Sequence, residues 1–207
     1  MAGEAINMNI ESRGYPRTVS CDGETIEITL MSPDDSGALS TFIGALPVHD
    51  LLFLRRDIRQ PKVLTAWMDA IKRGALTSLV ARVGTAMVGC SAIVVDEMSW
   101  SRHVGELRVL VTPSWRGRGL GRVLIQESFA IALGRGLEKL TVQMTVDQRA
   151  AIALFEELGF RAEAILGDQV KDCEGKAHDL ALLSHNVASV HSTKQAYGVI
   201  DAVGSRD

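Results

Sequence analysis

Val109-Leu-Val-Thr-Pro-Ser-Trp-Arg-Gly-Arg-Gly-Leu-Gly-Arg122 joins an apolar run, a proline stop, a glycine-rich turn and the start of a helical pattern. A strand that feeds a glycine turn and then a helix builds an anion site. The first-turn N–H groups of the helix have no partner inside it, and the helix dipole adds partial positive charge there. Glycines at 117, 119 and 121 keep Cβ atoms out of an anion's way, and Arg116, Arg118 and Arg122 offer charge-assisted hydrogen bonds. The turn has no Gly-Lys-Ser/Thr, so it is not a nucleoside triphosphate loop. Its glycines run G-x-G-x-G and not G-x-G-x-x-G, and no ribose-binding acid follows at the expected distance, which excludes a dinucleotide fingerprint.

The chain of 207 residues is 46% hydrophobic and 23% charged, the balance of one globular domain with a sizeable core. The net charge of -3 offers no basic face for nucleic acid. The N-terminal stretch has no long apolar run, so neither a signal peptide nor a membrane span is expected. Cys21, Cys90 and Cys173 are widely spaced and odd in number, which argues against a disulfide framework or a metal site and fits a reducing cytoplasm. If the chain self-associates, a homodimer is the expected form.

Working outward, residues 1–22 read as a loose polar arm. Thr25–Leu30 alternates as a strand, and Ser32-Pro33-Asp34-Asp35 caps a helix that ends at Leu46-Pro47. Residues 48–59 fit a loop or a helix. Pro61 opens a helix through Lys72, and 76–83 with 87–96 reads as a hairpin about Gly84-Thr85. The strand 103–111 leads into the glycine turn. The helix at 119–134 should bury Ile125, Phe129, Ala132 and Leu133. A strand over 138–145, a short helix about Ala151–Leu158 with Gly159 as its stop, and strands at 160–170 and 178–185 complete the domain, expected over 23–186. The segment 187–207 reads as a polar tail.

The residues also carry a resemblance. Arg116-Gly-Arg-Gly-Leu-Gly121 resembles the acetyl-coenzyme A pyrophosphate loop of the GNAT N-acetyltransferase superfamily, Gln/Arg-x-x-Gly-x-Gly/Ala. Gln148-Arg-Ala-Ala-Ile-Ala-Leu-Phe-Glu-Glu-Leu-Gly-Phe160 resembles that family's second signature, Asn-x-x-Ala-x-x-Leu-Tyr-x-x-x-Gly-Phe. The resemblance implies an α/β (α+β) fold, a mixed, mostly antiparallel twisted sheet of about seven strands flanked by about four helices. The strands 103–111 and 138–145 would run parallel and splay, freeing backbone groups of Val109 and Val111 for the pantetheine arm, with Leu110 between them also expected at the cofactor. Gly117, Arg118, Gly119, Leu120 and Gly121, with Arg116, would hold the pyrophosphate, and Gln148 and Phe155 would also contact acetyl-CoA.

The implied reaction moves an acetyl group from acetyl-CoA to a primary amine by direct attack in a ternary complex, with no metal. Glu106 is the expected general base. Phe155 stands where relatives carry a tyrosine, so the usual proton donor to the leaving thiolate is missing; Tyr15, Ser184, His178 or water could replace it. That departure keeps a second expectation open, an acyl-CoA-binding sensor or interaction module with little catalysis. The acceptor is a small-molecule or peptide amine, with specificity expected from 44–60 and 171–177. His178 and Asp179 are strand neighbours facing opposite sides, so they form no dyad with each other.

Overall fold

The computed structural model describes residues 14–187. The outer parts of the expected arm and tail, 1–13 and 188–207, lie outside the described residues. Eight strands form one sheet: β1 Arg17–Cys21, β2 Glu24–Leu30, β3 Leu76–Val83, β4 Ala86–Val94, β5 Val104–Val111, β6 Lys139–Thr145, β7 Arg161–Lys171 and β8 Ala177–Asn186. Four α-helices flank it: α1 Ser36–Gly44, α2 Pro61–Lys72, α3 Leu120–Gly134 and α4 Arg149–Glu157. The sheet order is β1-β2-β3-β4-β5-β6-β8-β7, antiparallel throughout except for β5 beside β6. That parallel pair is linked by α3, the crossover such a pair requires.

The expected arm needs one correction. Residues 17–21 are not irregular; they pair with 24–28 across a tight turn and become the edge strand β1. Arg17-Thr-Val-Ser-Cys21 alternates in burial, and Cys21 enters the core. The anchor is remote in sequence: Glu127, buried on α3, accepts from the Tyr15 hydroxyl at 2.9 Å and pairs with Arg17 at 3.0 Å. A carboxylate removed from water must be paired, and this one ties β1 to the helix.

A core lies on each face of the sheet. One packs α3 and α4 against Leu107, Leu140, Val142 and Met144. The other packs α1, α2 and the segment 46–58 against Val80, Cys90 and Leu110. The buried stripe of α3 is Leu120, Leu124, Glu127, Ser128 and Ile131, with Ile125 and Ala132 beside it. Phe129 and Leu133, expected inside, are only partly buried. Ser128 fits because its hydroxyl bonds Ser91 at 2.7 Å. Hydrophobic spacing cannot anticipate a polar residue satisfied by a partner on another element.

Leu124 is fully buried between α3 and the sheet. Leu124→Ala should cost about 2–5 kcal/mol and lower the urea midpoint, with the slope of the transition unchanged.

Candidate active site

β5 and β6 are in register only at Val104–Lys139, Gly105–Leu140 and Glu106–Thr141. Beyond Glu106 the two strands part. The side of β5 that faces the gap follows from its other neighbour. Thr112 N–H donates to Val88 C=O at 3.0 Å, in register with the pairs Leu110–Cys90 and Arg108–Ala92. Alternation then turns the backbone groups of Leu110 and Arg108 to β4, and those of Leu107, Val109 and Val111 to the gap. Val109 and Val111 thus face the gap as expected of freed backbone groups, while Leu110, also expected at the cofactor, turns its backbone groups to β4 and buries its side chain in the core.

The gap opens toward the glycine turn. Gly117 and Gly119 have φ of 73° and 86°, a left-handed backbone that glycine adopts without strain. Nothing lies within 4 Å of the Cβ that either would carry. Gly119 is the N-cap of α3, and no side chain caps the first turn, so its N–H groups remain open to a ligand. Gly121 also has a packing reason: a Cβ there would meet Leu154 of α4 at 3.3 Å. It lets two helices approach. Leu120 is fully buried and offers only backbone.

Each arginine of the turn has an intramolecular partner. Arg116 pairs with Asp50, and its Nε and Nη2 donate to Val111 C=O at 3.4 Å. Arg118 stacks over Trp115 at 5.1 Å and lies 3.7 Å from Asp22. Arg122 pairs with Glu157. Exposed pairs of this kind contribute little and can be exchanged for a more highly charged anion. Gln148 is the N-cap residue of α4, and its side chain makes no cap hydrogen bond. Phe155 is 7% exposed and meets Phe160 edge-to-face at 5.0 Å, within the core.

Glu106 stands where the strands part. Its Oε1 accepts from Arg108 Nε at 2.8 Å, and Oε2 lies 4.0 Å from Arg55 Nε. Arg108 also lies over the Trp67 ring at 5.9 Å. Of the alternative proton donors, the Tyr15 hydroxyl is bonded to Glu127 and the Ser184 hydroxyl to Glu163. His178 pairs with Asp172, while Asp179 accepts from Asp168 N–H.

The segment 48–59, left open between loop and helix, is a short 3-10 turn, Val48–Leu51, followed by irregular chain. It bridges the splay. Asp50 holds Arg116 at the end of β5, while His49 Nε2 reaches Asp147 at 2.8 Å and Thr145 at 3.2 Å at the end of β6. The His49 and His178 rings meet edge-to-face at 5.1 Å. The two segments expected to set specificity thus come together, and Arg59 Nη2 sits 3.9 Å from Cys173 Sγ. A pocket of about 510 Å³ opens between 52–55 and strands β6, β7 and β8. Sequence reading missed Arg55, Gln143 and Arg108. Only Gln143 left a sequence signal, in the alternating polar row Thr141, Gln143 and Thr145 of β6.

The thiols are chemically quiet inside the fold: burial pushes Cys90 up to about 12 and raises Cys21. Among the described residues no cluster of ligating side chains could hold a metal ion, and no helix is long and apolar enough to cross a membrane.

Residues 47–160 match the profile of the Acetyltransferase (GNAT) family. The chain belongs to this family. It is 37% identical over 93 residues to an IAA acetyltransferase of Azospirillum brasilense, covering 45% of this chain and 60% of that protein. The chain spans about half the length of other curated relatives that it matches. A solved ribosomal-protein-alanine N-acetyltransferase from Brucella melitensis superposes with TM-score 0.68 at 25% identity, over 77% of this chain and 98% of that one. The spermidine N-acetyltransferase of Vibrio cholerae, solved with CoA and spermine, shares the fold at TM-score 0.66 and 16% identity, over 79% and 96%.

The carboxyls of Asp147 and Asp172 are held below the usual range. The Thr145 hydroxyl is the leading cause at Asp147, with His49 contributing, and His178 is the leading cause at Asp172. A depressed folded value means that the unfolded chain binds more protons in the window below about pH 3.9. Their stabilisation is present above that window and lost as pH falls through the folded values. The gap in Tm between wild type and Asp172→Asn, open at neutral pH, should therefore narrow in acid; melting curves across that range check it.

Proposed function

We propose that this chain is an acetyl-CoA-dependent N-acetyltransferase acting on a primary amine. The observation that carries the reading is the splay itself: Val109 and Val111 turn backbone groups into a gap that leads to an uncapped helix start. A cofactor with two amides and a diphosphate fits both parts. The β5 edge would bond the pantetheine amides as a strand bonds a strand. The N–H groups from Gly117 to Arg122, with the guanidinium of Arg116, would hold the diphosphate. The solved spermidine N-acetyltransferase of the same fold carries CoA, which supports the assignment.

Acetyl-CoA supplies an acetyl group activated as a thioester. The acceptor nitrogen forms the new C–N bond as the C–S bond breaks, so the amine must lose a proton and the sulfur must gain one. Glu106 Oε2 is the oxygen not engaged by Arg108, and it takes the amine proton, directly or through one water. Arg108 keeps that carboxylate oriented at the point where the strands part. Phe155 has no proton to give, and the hydroxyls of Tyr15 and Ser184 and the imidazole of His178 are committed elsewhere. Water is then the proton source for sulfur.

A second reading, an acyl-CoA-binding sensor with little catalysis, is favoured by the core position of Phe155. Calorimetry with CoA and thiol release against an amine panel separate the two. The enzyme reading expects both binding and turnover, with kcat for Glu106→Gln down by about 10²–10⁴-fold and CoA affinity kept. Binding without turnover on any amine supports the sensor. Gly119→Asp puts a carboxylate where the diphosphate would lie; it should weaken CoA binding at least tenfold while Tm moves by only a few degrees. Unchanged affinity in that folded variant contradicts the loop assignment.

A further inference from the structure

The pocket beside Glu106 has a distinct chemistry. Its walls are the apolar side chains of Leu52, Phe53, Leu54, Leu166, Val170 and Leu180. Its polar lining is two amides and one cation: Gln143, Gln169 and Arg55. Neither glutamine side chain has a hydrogen-bond partner among the described residues. No carboxylate lines it.

Five carboxylates near it are engaged, and Asp168, next to the lining Gln169, does not itself line the pocket. Glu106 is held by Arg108, Asp50 by Arg116, Asp147 by His49, Asp172 by His178 and Asp57 by Arg59. Arg55 stands apart from this pattern. Its side chain is 76% exposed, and its one ion-pair neighbour, the already occupied Glu106, is 4.0 Å away. The pocket therefore presents an apolar wall, two free amides and one cation with spare donors.

We propose that the acceptor is an amino-carboxylate with an apolar body, such as a free hydrophobic amino acid, whose carboxylate is bound by Arg55. The proposal rests on the acetyltransferase reading of the same site. A guanidinium recognises a carboxylate through two parallel hydrogen bonds and gives the molecule one orientation. The apolar walls take the side chain, and Gln143, two residues past the last parallel pair on β6, lies on the side toward the thioester end of the gap. A polyamine fits poorly. Its reacting nitrogen must be neutral, but the remaining ammonium groups would sit against leucines with no carboxylate in the lining, and an unpaired charge out of water is costly.

The test is thiol release from acetyl-CoA with L-leucine, L-phenylalanine, L-leucinamide and spermidine as acceptors. Leucinamide keeps the amine and the apolar body and lacks the carboxylate. The expected result is kcat/KM for leucine or phenylalanine at least tenfold above leucinamide and spermidine. Arg55→Gln should close that gap by raising KM for the amino acid about tenfold, with kcat moving little; the exposed position of Arg55 leaves folding intact, which a melting curve verifies. Spermidine or leucinamide as the better acceptor overturns the proposal. So does an Arg55→Gln variant that keeps the gap, or a chain that acetylates other amines but neither leucine nor phenylalanine. A wild-type chain that fails to bind acetyl-CoA in calorimetry overturns the underlying acetyltransferase reading instead.

Discussion

Two adjacent strands that begin a parallel ladder and abandon it after three residue pairs leave backbone amides and carbonyls facing an opening. Each such group calls for a partner, because an unpaired donor or acceptor shielded from water is expensive. The rest of the structure serves that opening. β4 engages the even-numbered residues of β5 and so turns Val109 and Val111 outward. The core under α3 fixes where the helix starts, with Leu120 and Leu124 fully buried, and the glycine turn is thereby set at the end of the opening. On the far face, the 48–51 turn spans the two diverging strands through Asp50 and His49. Under the proposed function, cofactor and acceptor would meet at one interruption in one sheet.

The charged groups around the opening are paired, and pairing has two different consequences. At the glycine turn the arginines are paired at the surface, where an ion pair is weak and exchangeable. Arg116 lies against the Val111 carbonyl, so it occupies part of the space that a pantetheine arm would cross. At Glu106 the pair is largely buried, with both side chains of the Glu106–Arg108 couple under 20% exposed. There the arginine orients a carboxylate that would otherwise be free to rotate. Similar pairings thus leave one end of the opening adaptable and hold the other fixed.

Much of this was legible from the residues. Glycine spacing, the proline stop and the downstream helix pattern located the turn, and the second signature ending at Phe160 located the helix that packs on it. Gly121 shows the limit of the local reading: beyond its expected place at the phosphate, its missing Cβ also makes room for Leu154. β1 was unreadable because its anchor, Glu127, is over a hundred residues away and looks like an ordinary helix carboxylate. The 48–59 segment has no periodicity; ion pairs and a hydrophobic underside hold it, and neither leaves a repeat in sequence. The pocket beside residues 52–55 was hidden for the same reason, since it is assembled from the loop and three strands.

The central claim is that the edge of β5 and the start of α3 bind one ligand together. Residue-resolved amide hydrogen exchange with and without CoA tests it most directly. The account predicts that CoA slows exchange at Val109 and Val111 and across 117–122, and leaves the β1–β2 hairpin unchanged. Saturation with CoA that protects the glycine turn and leaves Val109 and Val111 untouched, or protects neither, would contradict it.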